Sequence, residues 1–323
     1  MDQECKTVPS NRLQFFPIMM FAVVMGLSGL TIVYRQASEL FGFSTAIYGT
    51  LVAVDTALFI SIALFYLLKI VKYFHEVKEE FAHPVRINFF AASAISFLLI
   101  SIIYQPLSSA VALTALTIGT VMQTFFTFYT LRFWINKNLE IKHSNPAWFI
   151  PIVGNLLVPV AGAAYFPIDF LIYYFAIGIF FWVVLTAIVI NRIIFHNQLA
   201  VKFMPTLFIF IAPPAIGFIA YMQLFESYDA FAKIVFNLGI FFTLLLFFMY
   251  KNFLNLKFFI SWWAFTFPLA AISLATMKVY AITGYLVYEY LSYLLIAITT
   301  VVVLIVAIKT LQHVLKKQIC IQE

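Results

Sequence analysis

Residues 204–224 read MPTLFIFIAPPAIGFIAYMQL, a stretch that holds no charged side chain and carries Pro213, Pro214 and Gly217 near its middle. A hydrocarbon core about 30 Å thick is crossed by roughly 20 predominantly apolar residues, so the stretch reads as one membrane span. Proline removes a backbone donor and bends the helix axis, and inside a membrane the freed carbonyl must find protein or water as its partner. This span therefore belongs beside other helices or an aqueous path.

Comparable runs extend in both directions from it. Spans are expected at 14–34, 44–70, 87–104, 109–133, 147–165, 169–192, 206–224, 229–250, 259–279 and 285–311. Hydrophobic residues make up 64% of the 323 residues and charged residues 10%, and the mean hydropathy is +1.02, so lipid is the solvent for most of the chain. The expected division is a cytoplasmic tail over 1–13, a ten-helix membrane domain over 14–311, and a second cytoplasmic tail over 312–323. The apolar run that begins at Phe15 lacks a small-residue cleavage site and is read as a retained span.

Several functions are disfavoured at once. Cys5 and Cys320 are the only cysteines, one in each tail, which provides neither a disulfide framework nor a thiolate metal site. The five histidines fall in or beside polar loops, and His75-Glu76 has no second histidine at zinc-protease spacing. No metal, cofactor or nucleic-acid partner is expected. A membrane-embedded enzyme needs clustered carboxylates, histidines or a nucleophile with its base at membrane depth, and the sequence holds none.

The spans alternate in character. Spans 1, 3, 5, 7 and 9 follow basic segments, carry no charge in their apolar stretches, and mostly hold proline: Pro17, then Pro151 and Pro159, then Pro213 and Pro214, then Pro268, with Pro84 only at the entrance of span 3. Even spans are longer, and their apolar stretches lack proline. The expected architecture is all-α, with ten transmembrane helices as five hairpins in a quasi-fivefold array, the odd helices lining a central pore and the even helices outside. A structural scaffold would not require proline in alternate helices.

Sorting Lys and Arg by membrane side puts sixteen on one side and three, Arg35, Lys233 and Lys278, on the other. The positive-inside rule makes the sixteen-residue side cytoplasmic and places both termini there, as an even span count requires. All five odd helices then start in the cytoplasm, with their partially positive ends toward an entering anion. The same excess of positive charge raises anion concentration at an inner mouth, although the insertion rule alone accounts for it. Trp134, Trp148, Trp262 and Tyr250 lie near the inner interface, where aromatic anchoring explains them.

At the odd spans the sequence resembles the TehA tellurite-resistance, yeast-type malate (C4-dicarboxylate) transporter and plant guard-cell slow anion channel superfamily. The matching stretches are FFPIMMFAVVMGLSG at 15–29, with Pro17, Phe21 and Gly26; EEFAHPVRINFF at 79–90; NPAWFIPIVGN at 145–155; MPTLFIFIAPPA at 204–215; and SWWAFTFP at 261–268. Five such stretches in order at five alternate spans cover nearly the whole chain. The resemblance implies a homotrimer with one pore per subunit and a phenylalanine on the ninth span that blocks the pore. The matching position is Phe267, beside Pro268. Phe265, two residues away and about 200° around a helix, cannot share its face. An uncharged constriction of this kind gates by blockage and by dewetting. The sequence departs from the pattern at Ala22, where a TehA-like first helix often has glycine, a change expected to narrow the pore. It also shows no long soluble tails like those of the plant channels, which leaves kinase-driven activation without an expected site.

Asp55 falls about eleven residues into span 2, where an ionisable group is costly enough to suggest function. Two readings stay open: a protonatable coupling site, or a structural carboxylate hydrogen-bonded to Thr50, Thr56 or Ser61 or paired with a cation. The charged stretch 72–80 reads as a solvated extension of helix 2 with opposed charges at helical spacing. The leading function is a gated plasma-membrane pore for small chloride- or nitrate-like anions. The alternative is a carrier exporting C4-dicarboxylates or tellurium oxyanions, proton-coupled through Asp55.

Overall fold

The computed structural model describes residues 12–320. Cys5, Lys6 and most of the expected tail over 1–13 lie outside the described residues, as do positions 321–323. The described residues are helical, with no strand among them. Among the described residues nine helices are long and apolar enough to cross a membrane: α1 (Ile18–Phe41), α2 (Thr45–Lys72), α3 (Arg86–Tyr104), α4 (Ser109–Asn136), α6 (Ile168–Phe195), α7 (Val201–Phe225), α8 (Ala230–Phe248), α9 (Ile260–Thr283) and α10 (Leu286–Leu315). The expected fifth span is a shorter apolar segment, α5 (Pro146–Gly162). A further helix, Phe74–Ala82, joins α2 to α3 and is amphipathic.

Odd and even segments differ in backbone as well as in sequence. The even segments are uninterrupted α-helices. Each odd segment opens with 3-10 turns: Ile18–Met20, Arg86–Phe89, Pro146–Trp148, Val201–Ile211 and Ile260–Phe265. A 3-10 stretch rises about 2.0 Å per residue against 1.5 Å in an α-helix, so these openings are narrower and longer per residue. Pro151, Pro159, Pro213, Pro214 and Pro268 sit in the first turn of the α-helical piece that follows a 3-10 turn. There a missing N–H costs little, because first-turn donors have no i−4 partner within their own α-helix. The prolines thus mark the change from 3-10 to α geometry, where the sequence suggested bends within continuous helices.

Packing follows the same division. α1 lies against α3 and α9, α3 against α5, α5 against α7, and α7 against α9, while each odd segment also packs on the even segment that follows it. Between 61% and 89% of the apolar windows of α1, α3, α7 and α9 is buried, against 17–39% for the even helices. The apolar side chains that even helices leave exposed, such as Leu67, Val71, Phe180 and Phe248, cover the surface that lipid solvates in a multi-pass protein.

The segment α5 is broken twice, and α3 and α4 repair it. The Pro151 carbonyl accepts hydrogen bonds from Gln123 Nε2 at 2.8 Å and Thr127 Oγ1 at 2.9 Å, both on α4. Gln105, just past α3, donates to the Ala161 carbonyl at 2.7 Å. An irregular backbone survives at membrane depth because side chains from neighbouring helices meet its carbonyls.

Candidate functional site: a cavity walled by the odd segments

A cavity of about 80 Å³ opens between the beginnings of the odd segments. Its walls take Met19, Ala22 and Met25 from α1 and Phe89, Ala92 and Ile95 from α3, in each case one residue in three. Met19 and Phe89 lie in the 3-10 openings and the other four in the α-helices that follow, where positions three apart are neighbours on one face. α5 supplies Phe149, Val153, Gly154 and Leu157; α7 supplies Thr206, Ile209, Ala212, Pro213 and Ile216; α9 supplies Ser261, Trp263, Ala264, Phe267 and Pro268. No lining residue comes from an even helix, and none carries a charge.

The wall is almost wholly apolar. Its two hydroxyls are turned to backbone carbonyls, Thr206 Oγ1 donating to Phe203 O and Ser261 Oγ to Lys202 O, each at 2.5 Å. The second bond also ties the opening of α9 to that of α7. The space offers an ion neither a fixed cation nor a free hydroxyl. The helix beginnings gathered around the space contribute a modest favourable field.

Phe267 is one of the lining residues supplied by α9. It is 9% exposed and is the second residue of the α-helical part of α9, Thr266–Thr283. The lining residues furthest along the other segments are Met25, Ile95, Leu157 and Ile216. Beyond them α1 and α9 close on one another. A Cβ added to Gly29 of α1 would stand 2.8 Å from Ala270 Cβ and 3.4 Å from Phe267 Cδ2, so only glycine leaves this niche beside the ring. Phe265 is directed elsewhere, into an edge-on cluster with Phe208 at 4.8 Å and Phe253 at 5.7 Å. Trp263, 2% exposed, donates from Nε1 to Thr310 Oγ1 of α10 at 2.9 Å and fixes the rotation of α9.

The structure gathers some of the sequence-derived site residues and disperses others. Phe267, Pro213 and Pro268 share the cavity wall. Phe21 turns away from the cavity, with its ring 6.1 Å from that of Tyr66 on α2. Gly26 faces Thr266 and Trp263 of α9 with no room for a Cβ, while Gly217 faces Ile179 of α6. Pro17, Pro151, Pro159 and Pro214 stand off the wall. Asp55 accepts a 2.6 Å hydrogen bond from Ser28 of α1, a partner absent from the three that the sequence suggested. Thr56 bonds Tyr104 instead, and Thr50 and Ser61 bond carbonyls on their own helix. Met25, Ile95, Leu157 and Ile216 were not singled out from the sequence, although the one-in-three spacing at the starts of α1 and α3 carries the signal. Among the described residues no group of His, Cys, Asp and Glu is placed to hold a metal.

The opening of α1 is fixed from the side. Ile18 N–H donates to Glu80 Oε1 at 2.9 Å, Tyr66 OH to Glu80 Oε2 at 3.1 Å, and Lys69 Nζ to the Phe16 carbonyl at 2.9 Å. Glu80 thus caps the first 3-10 turn of α1 from the linking helix.

A multi-pass integral membrane protein, helical across its described residues, with an uncharged cavity between its most buried helices has the makings of a transport protein. The chain belongs to the SLAC1 voltage-dependent anion channel family, whose model matches residues 15–311. It is 27% identical over 316 residues to the S-type anion channel SLAH3 of Arabidopsis thaliana, covering 92% of this chain and 48% of the relative. It is 28% identical over 322 residues to the uncharacterized transporter MJ0762 of Methanocaldococcus jannaschii, covering 91% and 93%. Identity to a tellurite resistance protein TehA homolog of Haemophilus influenzae is 28% over 262 residues, covering 78% of each chain. The chain spans about half the length of the plant relatives SLAH3 and SLAH2. Anion transport is the activity of the family.

Proposed function

We propose that the protein is a gated pathway for small anions of the chloride or nitrate kind, with one path per chain and Phe267 as its plug. The five odd segments enclose the axis as one member of each of five helical hairpins, and the even segments stand outside toward lipid. The observation that carries this reading is the supply of every cavity wall by an odd segment, with Phe267 among the lining residues. A phenyl ring obstructs without binding the anion by charge, so moving it opens the path. The membrane domain over 14–311 is set in the plasma membrane with both termini and the cavity mouth cytoplasmic, where the excess of Lys and Arg draws anions in. The working assembly is a homotrimer with a separate path in each subunit.

A carrier for C4-dicarboxylates or tellurium oxyanions is the second reading. It is favoured by one feature, the Asp55 carboxylate at membrane depth, 1% exposed and bonded to a helix of the cavity wall. Recording currents from the purified protein in planar bilayers with chloride, nitrate, malate and tellurite tests both. The expected result is current above carrier turnover that persists without a proton gradient and rises in Phe267→Ala. Unchanged current in a folded Phe267→Ala protein would defeat the plug, and dependence on a proton gradient would favour the carrier.

A further inference from the structure

We infer that Ser28 and Asp55 form a positioning pair that holds α1 at the register where Gly29 receives the Phe267 ring, so that this buried hydrogen bond maintains closure. The inference rests on the reading of Phe267 as the plug.

Ser28 is fully buried, Asp55 is 1% exposed, and the hydroxyl of one donates to Oδ2 of the other at 2.6 Å. Asp55 Oδ1 is buried and has no hydrogen-bond partner among the described residues. Asp55 forms no ion pair among them either. Lys69 and Glu80 form their own pair at the far end of α2, with Lys69 fourteen residues from Asp55, about 20 Å of helix. In the other direction, Arg35 of α1 pairs with Glu39 and donates to the Ile102 carbonyl. Tyr104 of α3 is bonded to Thr56. A carboxylate without a cation at membrane depth is costly, and a serine or an apolar residue would be enough to pack α2 against α1. A single directed bond to α1 is what this carboxylate adds.

The next residue of α1 gives that bond its consequence. Gly29 follows Ser28 by 1.5 Å and about 100° of turn, so Ser28 faces α2 while Gly29 faces α9. The empty side of Gly29 is the niche against which Phe267 Cδ2 and Ala270 Cβ lie. A rigid helix carries both residues together. A rotation or slide of α1 that breaks the Ser28 bond also moves the niche from the ring, and a bond that holds Ser28 holds the ring seated.

The test uses the full-length protein in planar bilayers at single-channel resolution, with thermal unfolding as the check on folding. Ser28→Ala, which removes one hydroxyl, and Asp55→Leu are expected to raise open probability several-fold while unitary current and anion permeability ratios stay those of the parent. Asp55→Asn keeps an acceptor oxygen for Ser28 and is expected to reverse most of the Asp55→Leu effect. Added to Phe267→Ala, Ser28→Ala is expected to change nothing further, because the plug is already gone. Parental gating in folded Ser28→Ala, while Phe267→Ala opens the path, would overturn the positioning pair and leave the plug standing. An effect of Ser28→Ala that persists in full on Phe267→Ala, or Asp55→Asn behaving like Asp55→Leu, would also overturn it. Should Phe267→Ala itself leave the current unchanged, the plug fails and the pair with it.

Discussion

Lys69 Nζ and Glu80 Oε2 stand 2.8 Å apart with both side chains about 4% exposed, and the pair anchors the opening of α1 to α2 and the linking helix. Removing one member leaves the other charge buried and unpaired, which costs about 3–5 kcal/mol, whereas replacing both recovers much of the loss. Glu80→Gln and Lys69→Met are each expected to lower the unfolding temperature of detergent-solubilised protein, and the double variant to lie above either. A double variant that loses the sum of both singles would show that the two residues act apart.

The Pro151 carbonyl depends on two donors from α4, Gln123 and Thr127. Gln123→Leu combined with Thr127→Val strips both from a buried acceptor, and the expected loss is about 1–3 kcal/mol. Each single variant keeps one donor and loses less. Thermal unfolding of the three variants checks this ordering.

Gly26 admits no side chain. A Cβ there would stand 2.7 Å from Trp263 Cε3 and closer still to the Thr266 hydroxyl. Overpacking of this kind costs about 1–3 kcal/mol. Gly26→Ala should therefore unfold at lower temperature, and Thr266→Ala in the same chain should return part of the loss.

Ala22 lies on the cavity wall, where each added carbon removes space from the cavity. In a Phe267→Ala background, Ala22→Leu is expected to lower anion current and Ala22→Gly to raise it, more for nitrate than for chloride. Equal currents in all three would place the conducting route elsewhere.

Burial pushes the Cys320 thiol above its ordinary pKa, against the opposing pull of Arg12 and Lys69. Less thiolate is present at a given pH, so alkylation of Cys320 by iodoacetamide at pH 8 should be slower than that of a free cysteine and should approach it on unfolding. Mass spectrometry of the C-terminal peptide over time measures both rates.

Much of the architecture was legible because lipid imposes a simple code. The runs at 44–70 and 285–311 announce membrane helices by length and apolarity alone, and the structure forms α2 and α10 there as helices of 28 and 30 residues. The alternation of proline marked the odd segments, which prove to be the ones that open in 3-10 turns and are most buried. The prolines did not identify the cavity wall. Pro213 faces it and its neighbour Pro214 does not, a difference set by helix rotation, which composition does not encode. Phe267 was distinguished from 38 other phenylalanines by its motif, and the rotation of α9 puts Phe267 on the wall and Phe265 in an aromatic cluster.

By itself the sequence determined that the chain resides in lipid and which segments are least fit to face it, because both follow from residue type along a line. The tertiary structure decided which faces meet. It brought Ser28 to Asp55, Gln123 to the Pro151 carbonyl and the bare side of Gly29 to the Phe267 ring, since contacts between residues tens to hundreds of positions apart depend on how helices are rotated and set against one another.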